Sequence, residues 1–221
     1  GRFAIDVFKA VNADTDEEEN IFISPISIST ALSMTMNGAN GETLSEMQAT
    51  LRLEDKTLAE TNTAFKKLLE VLPGLDPEVA LKLVNSIWYQ VDYPVLPAFL
   101  DVNSMHFSSE VIPANFSKNL EGAIEEVNNW IETNTDGLIK DAIGTLPGNV
   151  VMLLINAIYF KGSWQTEFDP ELTQTTQFYS PSGNQTVSLM KQEEIVLPYF
   201  ENELLQGVDL PYGDSIYSMS V

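Results

Sequence analysis

Residues 150–160 read VVMLLINAIYF and run straight into Lys161-Gly162-Ser163-Trp164. Val150, Val151, Met152, Leu153, Leu154 and Ile155 stand on one side of a lone amide, Asn156, and Ala157, Ile158, Tyr159 and Phe160 on the other. The run is too short to cross a bilayer as a helix. It is rich in β-branched and aromatic types and is bounded by Pro147-Gly148 and Lys161-Gly162. Such a run reads as a strand buried on both faces. Each of these side chains gains about 1.5–3 kcal/mol on burial, whereas an unpartnered amide among them costs roughly 1–3 kcal/mol. Asn156 therefore calls for dedicated partners.

The best candidates lie far upstream, in NIFISPISI at residues 20–28. A short apolar strand there leads into Ser24-Pro25, a helix start with Ser as N-cap and Pro at the first helical position. Ser27 follows one turn later, so both hydroxyls belong to the N-terminal end of that helix. A buried Ser24–Ser27–Asn156 cluster beneath a central strand is the resulting expectation.

With these stretches the chain resembles the serpins. The likeness runs through NIFISPISISTALSM (residues 20–34), Gly38-Ala39-Asn40-Gly41-Glu42-Thr43, Asn129-Trp130-Ile131, Thr135-Asp136-Gly137 and Ile139. It continues through NAIYFKGSW (residues 156–164), Phe168-Asp169-Pro170, Thr173, Phe178 and Met190-Lys191-Gln192, in the family's order. The resemblance implies that Ser24, Ser27 and Asn156 belong to the shutter, the region beneath the main sheet that opens to admit another strand. It implies that Trp164 stands in the breach, where insertion begins, and that residues 150–160 wall the insertion slot. Residues 119–133 match the helix lying across the front of that sheet, and Thr43 is expected to cap the next helix.

Composition agrees with one globular domain over residues 1–221. Thirty-two acidic against eleven basic residues give a formal charge of −21, which repels polyphosphate and argues against nucleic acid. The helix read over residues 56–72 offers Lys56, Lys66 and Lys67, diluted by Glu54, Asp55, Glu60 and Glu70, so a heparin site of the kind some serpins carry is disfavoured. There is no cysteine, hence neither disulfide nor thiol chemistry. No stretch reads as a signal peptide or membrane span. Family resemblance favours an extracellular location, and the lack of cysteine is equally compatible with an intracellular one. Asn115-Phe116-Ser117 and Asn184-Gln185-Thr186 fit the glycosylation sequon, at a frequency expected by chance.

Further helices are read over residues 2–11, with Phe3, Val7, Phe8 and Val11 on one face, over 24–36, 43–51 and 97–104, and over 119–133 with Leu120, Ile124, Val127 and Ile131 aligned. The 56–72 helix turns Phe65, Leu68, Leu69 and Leu72 inward. Residues 14–19 read as an acidic loop. Residues 80–90 alternate as a strand, 110–114 form a short one, and short β-type runs dominate from Thr166 onward. Helices first and strands later indicate α+β. The serpin likeness adds N-terminal helices around a large mixed main sheet with smaller sheets. Residues 215–221 read as a strand ending abruptly on an apolar residue, which suggests missing chain, and the resemblance implies that the sequence is about the first three-fifths of a serpin. The reactive-centre loop and the remaining strands would belong to another part of the molecule, the chain's obligate partner.

The resemblance implies a suicide inhibitor of a serine protease, or less often a cysteine protease, in which the cleaved loop inserts into the main sheet. A non-inhibitory serpin serving as carrier, chaperone or store is the alternative. An enzyme is disfavoured: G-x-S-x-G, H-E-x-x-H, a P-loop and a Cys/His cluster are all missing, and no cofactor or metal is called for. His106, the single histidine, reads as a packed or surface residue. Glu125-Glu126 and Glu193-Glu194 read as solvated faces, and Trp88 and Trp130 as core.

Overall fold

The computed structural model describes residues 1–15, 20–180, 182–193 and 195–221. The acidic loop read over residues 14–19 lies mostly outside the described residues, as does Glu194. The chain divides into two compact units.

The first unit comprises residues 1–73 and 81–159. Its helices are α1 (Arg2–Asp14), α2 (Pro25–Met36), α3 (Gly41–Leu51), α4 (Leu58–Val71), α5 (Pro97–Phe107) and α6 (Leu120–Asn134). Local chemistry sets their ends. Ser24 caps α2 ahead of a proline, and Thr57 and Glu60 form a reciprocal capping box at α4. The Asn119 side chain accepts the Gly122 N–H at the start of α6. The strands β1 (Val79–Gln90), β2 (Ser109–Ala114) and β3 (Met152–Gly162) form a sheet in the order β2-β1-β3. β2 runs parallel to β1. The Gln90 N–H at the end of β1 bonds the Val151 carbonyl just before β3, so β3 runs antiparallel and the sheet is mixed.

Two apolar layers sandwich this sheet. On one face Trp88 of β1, Ala114 of β2 and Leu153 and Ile155 of β3 meet Ala123, Val127 and Ile131 of α6. On the other, Ile87 of β1 and Met152 and Leu154 of β3 meet Met34 of α2, Leu69 of α4 and Phe107 of α5. Alternation along each strand feeds both layers at once.

Several expectations need correcting. The strand buried on both faces is the second half of β1, where Asn85, Ser86, Ile87, Trp88 and Gln90 are all buried. β3 is only part-buried: Ala157 alone is fully enclosed, while Val151 and Phe160 are exposed. Within residues 1–221, β1 is flanked by strands on both sides and β3 by β1 alone. Residues 20–24 carry no strand, and Phe22 is fully exposed. Asn40, not Thr43, caps α3, its side chain accepting the Gly41 N–H, so the helix starts two residues earlier than read. On α4, Leu69 is buried but Leu68 is exposed. Ala123 takes the buried place on α6 that Ile124 was expected to hold.

The second unit comprises residues 74–80 and 160–221. Here β4 (Gln174–Ser180) and β5 (Gly183–Leu189) form a hairpin, and β6 (Tyr199–Glu201), β7 (Gln206–Tyr212) and β8 (Tyr217–Ser220) form an antiparallel sheet. Asp76, 2% exposed, ties the early segment to the late one. Its carboxylate accepts the Glu78 N–H at 3.0 Å and the Asp214 N–H at 2.8 Å. At Gly213 (φ +43°) a Cβ would lie 2.5 Å from Asp76 Oδ1, so the close approach needs glycine. Helices gathered early and short strands late make the class α+β.

Candidate functional site

Ser24 has extended backbone, and its hydroxyl accepts the Ser27 N–H at 3.3 Å, as an N-cap should. Ser27 Oγ donates to Ser24 Oγ at 3.0 Å. The two serines thus form a closed, part-buried pair at the head of α2.

Asn156 sits mid-strand in β3, on the face shared with Met152 and Leu154. Its Nδ2 donates to Asn85 Oδ1 at 2.8 Å, across to β1. Asn85, 2% exposed, passes the chain on, its Nδ2 donating to the Phe107 carbonyl at 2.8 Å. Asn156 Oδ1 is buried and has no partner. The expected Ser24–Ser27–Asn156 cluster is therefore not what the structure shows: the serines bond each other, and the amide bonds Asn85. Asn85 went unread because it shares an alternating face with Leu81, Leu83 and Ile87, and only strand register puts it opposite Asn156. The polar break in that face was the available signal.

The remaining wall residues split by alternation. Leu153, Ile155 and part-buried Val150 pack on the α6 side, Met152 and Leu154 on the helix-layer side. Lys82 of β1 lies over the Tyr159 ring, 5.3 Å from its centroid, and pairs with Asp136 at 2.6 Å. Asp136 follows α6 at the start of its exit turn, where Asp136 and Gly137 both take positive φ. Asn128 of α6 then clips the following segment, exchanging two 2.9 Å bonds with the backbone of Ile143.

In the second unit Trp164 bridges to Tyr212, and their rings stack at 4.4 Å with a 14° tilt. Phe168 packs edge-on to Trp164, and Phe160 packs edge-on to Tyr212. Such a pair contributes about 0.5–1.5 kcal/mol beyond area burial, and it fixes the chain just after β3 to the end of β7. Burial, with Asp76 as a lesser cause, pushes the neighbouring Tyr217 phenol up.

Neither location carries reactive chemistry. Among the described residues no group of three acidic, His or Cys side chains is placed to hold a metal, and no helix is long and apolar enough to cross a membrane. His106, in the last turn of α5, has a buried Nδ1 without a partner. Trp88 is core, whereas part-buried Trp130 directs its indole N–H to Glu110. The carboxylates held below their usual range are Asp55, by Lys56, Glu60, by the Thr57 backbone and hydroxyl, and Glu193, by Lys191. All three are solvated caps or ion pairs. On α4, Lys66 is paired with Glu70 at 3.9 Å.

A family model described as "Serpin (serine protease inhibitor)" matches residues 1–221. An uncharacterised serpin-like protein of Thermococcus kodakarensis is 35% identical over 95% of this chain and 48% of its own length. The leukocyte elastase inhibitor of Sus scrofa is 32% identical over 100% of this chain and 58% of its own. The structure of reactive-loop-cleaved human thyroxine-binding globulin superposes with a TM-score of 0.90 at 28% identity, covering 99% of this chain and 66% of that one. The chain thus spans about half to three-fifths of the curated relatives it matches.

Proposed function

Since the chain belongs to the serpin family, we propose that residues 1–221 are part of one serpin domain whose task is to receive an inserted strand and thereby trap a serine protease. β3 is the strand beside which the cleaved loop settles, with residues 150–160 as the wall of the slot. Ser24 and Ser27 as one bonded pair, and Asn156 with Asn85 as another, are assigned to the shutter, and Trp164 to the breach. Strand insertion is the familiar example of recognition by strand addition in this family, and membership supports this reading.

One observation carries the reading: the amide of Asn156, in the middle of β3, bonds Asn85 of β1 and keeps a buried Oδ1 without a partner among the described residues. A buried acceptor without a donor costs about 1–3 kcal/mol, which an incoming group can recover.

In the inhibitory cycle the loop is cleaved, enters beside β3, and carries the acylated protease with it. The serpin acts once and is no enzyme. The expected partner is a serine protease, with cysteine proteases secondary. Nucleic acid and membranes are not expected partners, and heparin is disfavoured because the lysines of this stretch are diluted by acidic residues and Lys66 is paired with Glu70. A carrier role is the second reading, favoured by the likeness to thyroxine-binding globulin.

The deciding experiment incubates the full-length protein with a panel of serine proteases and looks for an adduct that survives boiling in detergent. An adduct is expected. Clean cleavage by every protease, with no adduct, hands the assignment to the carrier reading.

A further inference from the structure

Two Asn–Gly peptides lie three residues apart, Asn37-Gly38 and Asn40-Gly41, and the structure treats them in opposite ways. The Asn37 side chain is locked. Its Nδ2 donates to the Ser33 carbonyl and to the side chains of Asn62 and Asn103, at 3.1–3.3 Å. Its Oδ1 accepts from Asn62 at 2.8 Å. Gly38 N–H is committed to the Thr35 carbonyl, and a Cβ at Gly38 would meet the Phe99 ring at 3.2 Å. Nothing can turn here without disturbing the α2–α4–α5 contact.

Asn40 is exposed, and its Oδ1 takes the N–H of the next residue, Gly41, at 2.7 Å. The nitrogen that would attack the side-chain carbonyl is thus already held against it. Gly41 has a positive φ and open space around its Cα, with nothing within 4 Å of a built Cβ. That nitrogen has no other hydrogen bond among those described, because it opens α3.

We propose that the Asn40–Gly41 peptide is a site of spontaneous, structure-selected deamidation in the folded protein, and that Asn37–Gly38 is not. Gly41 N loses its proton to solvent base and attacks Asn40 Cγ. The new N–C bond forms as ammonia leaves, giving a cyclic imide. Water then adds to either carbonyl of the ring and opens it to Asp or isoAsp. The net change is loss of ammonia and gain of water, with no oxidant or cofactor. The Asp product keeps a good cap at α3 and can re-close slowly to the same imide with loss of water, whereas isoAsp lengthens the main chain by one carbon and misplaces the cap. Each conversion adds a negative charge beside α2, against which α3 packs.

The test is peptide mapping with isoAsp detection after warming the protein at mildly alkaline pH, once folded and once unfolded in urea. Asn37 must break several hydrogen bonds before it can react, so in the folded protein Asn40 is expected to convert at least about tenfold faster. In urea the two rates should converge, and Asn40→Ser, which keeps an N-cap hydroxyl but has no side-chain carbonyl to attack, should abolish the signal at that position without disturbing the fold. A folded-state ratio below tenfold, faster loss at Asn37, or a ratio that persists in urea would overturn the proposal. The last outcome would assign the difference to local sequence alone.

Discussion

Asn85 has both amide atoms committed inside the sheet, while Asn156 has only one of its two satisfied. Removing Asn85 leaves both Asn156 Nδ2 and the Phe107 carbonyl without partners, so Asn85→Ala should cost about 1–3 kcal/mol. Asn156→Ala also deletes the orphan acceptor and should cost less. Replacing both, Asn85→Leu with Asn156→Leu, should restore much of what Asn85→Leu alone loses, because no polar atom of the pair then remains buried. Urea unfolding midpoints, arranged as a double-mutant cycle, check this order. Equal losses at the two positions, with additive doubles, would mean the pair is not coupled. At this scale Asn156 was legible, as the one amide in an oily run, and Ser24 was legible from the proline after it. The partner was not, because register is a property of two segments and neither states it alone.

Helix α4 shows what an element can settle by itself. Thr57 and Glu60 cap it reciprocally, with the Thr57 N–H and hydroxyl both donating to Glu60 Oε2, at 2.9 and 2.8 Å. Thr57→Ala should cost about 1 kcal/mol. Those bonds hold the Glu60 pKa below the ordinary glutamate value. Glu60's contribution is therefore present above that ordinary value and is lost as pH falls through the lowered one. Unfolding midpoints followed across the acid range should show this loss, and Thr57→Ala should reduce it only in part, because the backbone N–H, the larger cause, remains. An unchanged pH slope in the variant would remove the hydroxyl, not the backbone bond, from the account. Elements with such end signals were read to within a few residues, and the α6 stripe was nearly right. Burial of the strands was misjudged, since an apolar run announces only that side chains prefer cover. β1 obtains that cover from a strand on each side and helices on both faces; β3 has a strand neighbour on one side.

At the scale of the molecule the formal charge of −21 opposes compaction. Seven ion pairs are described, all between exposed side chains. Such pairs contribute about 0–1 kcal/mol each and are weakened by salt. The uncompensated carboxylates are far more numerous, and their repulsion is screened by the same salt. Screening of repulsion should win: raising NaCl from low to molar concentration should lift the melting midpoint by at least about 2–4 °C, the equivalent of ~1 kcal/mol in a chain of this size. A falling midpoint would show that the pairs dominate. The Asp76 clamp has its own consequence in time. Asp76 and Asp214 are separated by 138 positions, and ribosomes add about 5–20 residues per second. The aspartate therefore waits roughly 7–28 seconds after it is made before its distant backbone donor exists. Throughout that interval its carboxylate can hold only the nearby Glu78 N–H, and the turn that will later enclose it has yet to be made.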